Sequence, residues 1–367
     1  MKSLLEKEIR EAGGALPFDR YMELALYAPG LGYYVSGAHK FGKGGDFVTA
    51  PEISPCFGQC LARQCQQVLQ QTADPRILEF GAGTGLMAAQ ILAELERLQP
   101  GQTVRYQILE LSAELQHRQR QTLEERTPGL ADRVEWVQEV PEGFSGVVLA
   151  NEVLDAMPAH VFRRNERGLE EQWVAMREQA LQLCWRPARE ALRQAVSAIE
   201  QELGQLSPGY VSEANLRLAP WLEMLGKRLG QAVVLLIDYG YTRREYYHPQ
   251  RNMGTLICHY RHQAHDDALL RPGLQDITAN VDFSAVAEAG EKAGLELLGF
   301  NSQANFLLGC GLEELLARSD PEAVAAHMAA VQGVKQLIMP DAMGERFKVI
   351  ALGKGLEMAL RGFSGQA

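Results

Sequence analysis

Three glycines at alternate positions, Gly81, Gly83 and Gly85, stand between an apolar run (Ile77, Leu78, Phe80) and apolar residues at helical spacing (Leu86, Ile91, Leu95). Strand, tight turn and helix in that order make a nucleotide-binding turn. Its glycines let the backbone approach a ligand that a Cβ would block, and the bare N–H groups of the helix start face that ligand. Acidic residues flank the turn: Glu79 lies two positions before the first glycine, and Glu110, followed by Ser112, ends the next apolar run at 106–111. A carboxylate at the end of the second strand is placed to accept both hydrogen bonds of a ribose diol. The third glycine of the dinucleotide fingerprint would fall at position 86, where the chain has Leu. The spacing is therefore G-x-G-x-G, and a nicotinamide dinucleotide is disfavoured.

A second constellation is Asn151, Glu152 and Asp155, in GVVLANEVLDAMP, where a buried run ends in Asn-Glu. Such residues commonly cap a following helix, but three polar groups at a strand end beside a nucleotide turn also suit catalysis. Other candidates carry less. His259, His262 and His265 recur at intervals of three, yet no fourth ligand matches them, so they are expected to face solvent or substrate and no metal site is assigned. The GKGG at 42–45 lacks the Gly-Lys-Ser/Thr spacing and the preceding strand of a P-loop. Tyr33, Tyr34, Tyr239 and Tyr241 fall in loops and suit a pocket wall. The four tryptophans read as core or pocket-wall packing.

These residues need a scaffold, and the rest of the chain supplies its signals. Helices are expected at 4–12, 17–27 and 55–71, with a glycine- and aromatic-rich loop at 28–54. The order then runs strand 76–80, helix 86–98, strand 104–111, helix 113–125, strands 134–138 and 146–150. Alternation of that kind predicts an α/β fold with a parallel, doubly wound, Rossmann-like sheet. Three strand-like runs between 160 and 185, then helices near 188–202 and 214–229, read as an inserted α+β subdomain. A buried strand at 232–237 resumes the sheet and ends in Asp238. A second aromatic and histidine-rich loop reaches about 282, followed by helix 283–293, strand 296–301, helices within 312–336 and a last strand at 347–353. The predicted division is 1–72 (N-terminal helical and loop extension), 73–158 and 231–367 (the α/β domain), and 159–230 (the insertion).

Length and composition set the bounds. A chain of 367 residues can bury a large core and carry appendages or a second domain. No stretch approaches the roughly 20 uninterrupted apolar residues of a membrane span. The start, MKSLLEKEIREAGG, carries acids and no long apolar core, so neither a secretory signal nor a transit peptide is expected and the cytoplasm is the default address. Six cysteines without a CxxC pair fit reduced thiols, Cys56 and Cys60 being read as small core residues. A formal charge of −10 argues against a nucleic-acid partner and suits a basic protein substrate. A homodimer is left open.

Linked motifs then carry a resemblance. GDFVTAPEIS (45–54), LEFGAGTG (78–85), ANEVLDAMP (150–158), LIDYGY (236–241), and GTLICHYRH with QDITANVDF (254–283) occur in order along nearly the whole chain. Together they resemble the MidA-type class I S-adenosylmethionine-dependent methyltransferases, the bacterial relatives of the mitochondrial complex I assembly arginine methyltransferase. The resemblance implies S-adenosylmethionine as cofactor, held at Gly81, Gly83 and Gly85 with Glu110 on the ribose. It also implies that the loop carrying Gly45, Asp46 and Glu52 helps close the cofactor pocket; Glu79 and Ser112 are placed in the same site by their positions before the turn and beside Glu110.

It further implies methylation of protein arginine. A guanidinium is a poor nucleophile, being delocalised and protonated near neutrality. Carboxylates gripping it in a fork would orient it and take up the released proton. Glu152 and Asp155, with Asn151 beside them and Glu52 or Asp46 as further candidates, are the residues for that grip. The wider arginine methyltransferase class uses a loop with two glutamates; here Glu and Asp stand three apart, which leaves their individual roles open. A small-molecule methyltransferase and a non-catalytic assembly factor with the same fold are the competing readings.

Overall fold

The structure, a computed structural model, describes residues 1–36 and 48–364. These divide into two compact units, one of residues 48–153, 222–240 and 287–364, the other of 1–36, 154–221 and 241–286.

The first unit is built on seven strands, here β1 (Arg76–Phe80), β2 (Arg105–Leu109), β3 (Val134–Val137), β4 (Phe144–Asn151), β5 (Leu229–Tyr241), β6 (Glu296–Ser302) and β7 (Phe347–Lys354). Their order across the sheet is β6-β7-β5-β4-β1-β2-β3. Strands β5, β4, β1, β2 and β3 are parallel neighbours, whereas β7 runs antiparallel to both β5 and β6. The parallel, doubly wound reading of the strands from 76 to 150 holds, and β7 adds an antiparallel strand between β5 and β6. One crossover helix forces parallel neighbours, but three helices (Gln303–Gly309, Leu312–Leu316, Val324–Ile338) separate β6 from β7, and the chain returns in the opposite sense. Strand order reverses between β1 and β4, where doubly wound sheets open a crevice beyond the carboxyl ends of their strands.

Why these segments are strands is visible in their burial. β4 buries Val147 to Ala150 completely and β5 buries Ala232 to Leu236, continuous apolar runs that only a sheet covered on both faces can accept. On one face lie helices α1 (Ala50–Ile53), α2 (Pro55–Leu69) and α3 (Leu86–Leu98). Helix α2 starts at Pro55, with the Ser54 hydroxyl accepting the Cys56 N–H at 3.3 Å. It turns Phe57, Cys60, Leu61 and Cys65 into the same apolar cluster as Ile77, Ile91 and Val147. Each fully buried Leu or Phe there contributes about 2 kcal/mol. Burial pushes the Cys60 and Cys65 thiols well up, so these sulfurs behave as small apolar groups.

In the second unit the antiparallel strands Ala15–Pro17, Gly168–Arg177, His160–Asn165 and Val211–Ala214 lie side by side, with Ala180–Pro187 paired to Gly168–Arg177. Helix Glu190–Leu203 covers them through Leu192, Val196 and Ile199. At its polar heart Glu171, wholly buried, accepts from Arg189 and lies 3.0 Å from His160 Nδ1. Burial pushes that carboxyl up, but the His160 and Arg189 contacts outweigh it and hold it at about 2.

Two expectations change here. Ala214, expected to open a helix, instead ends the strand Val211–Ala214 paired with His160–Asn165, and the helix begins only at Leu218. The long loop before 282 contains the small sheet Ile257–Tyr260, Gln263–His265 and Asp276–Thr278. In the structure residues 48–72 group with the large sheet, and 154–158 and 241–286 group with the inserted strands.

Candidate functional site

In the large-sheet unit the register brings three strand ends to one level beside β5. Leu109, Phe80, Ala150 and Leu236 are aligned neighbours, so Glu110, Gly81 and Asn151 stand at the carboxyl ends of β2, β1 and β4, while β5 runs on through Ile237 to Tyr241. The turn after β1 is held by Gly81 N–H donating to Leu109 O at 3.1 Å and Gly85 N–H to Ala82 O at 2.7 Å. Gly81, Gly83 and Gly85 all have left-handed backbones, φ +62°, +52° and +80°, which explains three glycines in five positions. Gly85 has a second reason. A Cβ there would stand 3.0 Å from Gln119 Cα on helix α4 (Ala113–Arg126), so its bareness admits a helix rather than a ligand.

Glu110 is fixed on both oxygens. Ser112 N–H donates to Oε1 at 2.9 Å and Gln119 Nε2 to Oε2 at 3.1 Å. The Ser112 hydroxyl itself is engaged as N-cap of α4, accepting the Leu115 N–H, so this residue serves Glu110 through its backbone. Glu79 is 2% exposed and accepts the Tyr106 hydroxyl at 2.7 Å. Burial pushes its carboxyl up, the Tyr106 hydrogen bond opposes this, the Glu110 charge adds to it, and the result is about 7. Glu52 accepts the Thr49 N–H at 3.3 Å across α1, a capping contact, and α1 is tied to α3 by Gln90 Nε2 donating to Pro51 O at 2.8 Å. Gly45 and Asp46 lie outside the described residues, as does GKGG.

At the end of β4, Asn151 Nδ2 donates to Glu152 Oε1 at 3.1 Å, while Asn151 Oδ1 is buried with no hydrogen-bond partner among the described residues. A buried acceptor in that state costs about 1–3 kcal/mol unless a ligand or water meets it. Glu152, whose N–H donates to Ile237 O at 2.9 Å, has φ +53°. A left-handed backbone in a non-glycine residue costs about 1 kcal/mol or more and clusters at functional sites. No β-carbon pattern in the sequence announces it.

Asp155 lies in the other unit, 5% exposed, its carbonyl accepting the Ala279 N–H at 3.0 Å. Around it Tyr27 donates to Ala156 O at 3.0 Å and Tyr34 to Asp276 Oδ1 at 2.9 Å. Burial first, then the Asp276 and Asp155 charges, pushes the Tyr34 hydroxyl well up. Asp276 had no signal beyond its motif. The histidines do not converge: His265 stands opposite Cys258 and His259 opposite Ala264, so the two face opposite sides of their hairpin. A cavity of about 370 Å³ lined by Tyr241, Glu245, His248, Gln250 and Arg251 contains none of these residues.

A sheet with its order reversing at a positive-φ glycine turn, a held carboxylate at the second strand end and an open acceptor at the fourth fits the adenosine and amino-acid ends of S-adenosylmethionine. The sequence comparisons agree: a family model described as S-adenosyl-L-methionine-dependent methyltransferase matches residues 60–301, and the chain belongs to that family. It is 30% identical to the mitochondrial protein arginine methyltransferase NDUFAF7 of Mus musculus, over 92% of this chain and 81% of that one. The same protein of Danio rerio is 29% identical, over 98% of this chain and 88% of that one. A Burkholderia thailandensis protein crystallised with S-adenosyl-homocysteine is 46% identical, with a TM-score of 0.94 and 99% and 94% of the two chains covered. The fold is that of class I methyltransferases, the enzyme class is S-adenosylmethionine-dependent methyltransferase, and no helix among the described residues is long and apolar enough to cross a membrane.

Proposed function

We propose that the methyl acceptor is an arginine side chain of a protein. Bound S-adenosylmethionine would supply a methyl carbon activated by its sulfonium; the chain's residues have to bring up a nucleophile and relieve it of a proton. Gly81, Gly83, Gly85 and Glu110 hold the cofactor in this reading, with Glu79, Ser112 and Glu52 supporting the turn, the ribose carboxylate and the covering helix. Gly45 and Asp46 are assigned to the cover on their motif alone. Glu152 orients the guanidinium and takes up its proton, Asn151 fixes the Glu152 carboxylate, and Asp155 is assigned as the second carboxylate on its motif alone. The observation that carries the reading is the left-handed backbone of Glu152 at the strand end one level with the glycine turn. The naming of the relatives as protein arginine methyltransferases supports the same acceptor. The formal charge of −10 suits a basic protein substrate and no nucleic acid. Six free cysteines fit a reducing compartment, and we assign the cytoplasm. Methyl transfer from labelled cofactor to an arginine-containing protein should fall at least a hundredfold in Glu152→Gln, with cofactor affinity retained. Label accumulating in small molecules instead of protein would favour a small-molecule acceptor.

A further inference from the structure

Gln119 is fully buried on α4, nine residues beyond Glu110, and its amide uses both ends. Nε2 donates to Glu110 Oε2 and to the Gly83 carbonyl, each at 3.1 Å. Oε1 accepts the Trp136 indole N–H at 2.8 Å. Trp136 Nε1 can only donate, so this contact determines which way the amide points: the oxygen must face the indole and the NH₂ must face Glu110 and Gly83. The indole is itself braced by the Arg120 guanidinium 4.1 Å over its ring. Backbone packing adds to the side-chain contacts, because the space at Gly85 that a Cβ would fill lies against Gln119 Cα, Cβ and O.

One amide thus ties together the two parts of the nucleoside site that come from different strand ends, the carboxylate after β2 and the glycine turn after β1. We propose that Gln119, oriented by Trp136, is the positioning residue that sets the Glu110 carboxylate for the ribose diol and locks it to the turn. The inference rests on the reading that Glu110 takes the ribose hydroxyls. The two neighbours hold other atoms: the Ser112 N–H meets Oε1, and the Gln116 amide donates to the Glu110 carbonyl at 2.9 Å. An ordinary amide-to-carboxylate contact whose loss frees a carboxylate is worth about a tenfold to hundredfold change in binding.

The test is calorimetric binding of S-adenosyl-homocysteine and of its 2′-deoxyribose analogue to the full chain without acceptor. The wild-type chain should prefer the ribose form by at least tenfold. Gln119→Ala and Gln119→Glu should lose most of that preference, the second also setting a like charge beside Glu110. Trp136→Phe, which keeps the ring but removes the N–H, should lose it in part, because the amide is then free to flip. A general packing role would weaken both ligands equally and leave the ratio unchanged, and that result in all three variants would overturn the proposal. Should Gln119→Ala fail to fold, Trp136→Phe carries the test alone. If the wild-type chain shows no preference, the ribose reading of Glu110 fails first; a wild-type preference retained in full by the variants overturns only the role of Gln119.

Discussion

Glu79 offers a stability test that the structure sizes in advance. Its carboxyl is wholly buried against Tyr106 and raised from the ordinary 4.5 to about 7. A carboxyl raised on folding binds its proton more tightly in the native state than in the unfolded one. Its contribution is therefore fully present below pH 4.5, declines as pH rises, and is gone above about pH 7. At about 1.4 kcal/mol for each pH step of one, the native state loses about 3 kcal/mol across that window. Glu79→Gln keeps an oxygen for the Tyr106 hydroxyl and removes the titration. The stability difference between variant and wild type, measured by urea unfolding without ligand, should shift in favour of the variant by about 3 kcal/mol between pH 4.5 and pH 8. In thermal unfolding the same shift amounts to about 4 °C for a chain of this length. A difference that stays constant over this range, or that moves in favour of the wild type as pH rises, would mean that Glu79 is ionised in the fold and that the Tyr106 hydrogen bond outweighs burial.

Gly83→Val places a β-branched residue at φ +52° in the cofactor turn and should abolish the thermal shift produced by S-adenosyl-homocysteine; a retained shift would remove that turn from the binding site. Ser112→Ala removes the N-cap oxygen but keeps the N–H that holds Glu110, so it should cost about 1 kcal/mol in urea unfolding while changing ligand affinity less than twofold. A large affinity loss would show instead that the hydroxyl meets the cofactor.

Most of the sheet could be read from the chain because its strands are continuous apolar runs and its helices have clear periods. The runs 106–111 and 232–237 needed no tertiary information to be recognised as strands, although the first ends at Leu109. The inverted direction of β7 had no such local sign, since direction is decided by which strand β7 finds as a neighbour. Ala214 was misleading for a similar reason: its extended form comes from pairing with His160 and not from its own propensity. At the site, strand-end position pointed to Gly81, Glu110, Asn151 and Glu152. It did not reveal that Gly85 makes room for a helix, that the Ser112 hydroxyl is a cap, or that Gln119 joins two strand ends. Those facts depend on side-chain direction and on contacts across the fold. Glu152's backbone strain was equally silent, since a Glu in the left-handed region looks like any other Glu in sequence.

Transfer of a methyl group to protein arginine, with Glu152 taking part, is open to direct observation. The direct measurement is mass spectrometry of the proteins of cells with the chain, without it, and with Glu152→Gln in its place. One arginine should be methylated in the first and unmethylated in the other two. Identical methylarginine patterns in all three would contradict the claim, as would full methylation in the Glu152→Gln cells.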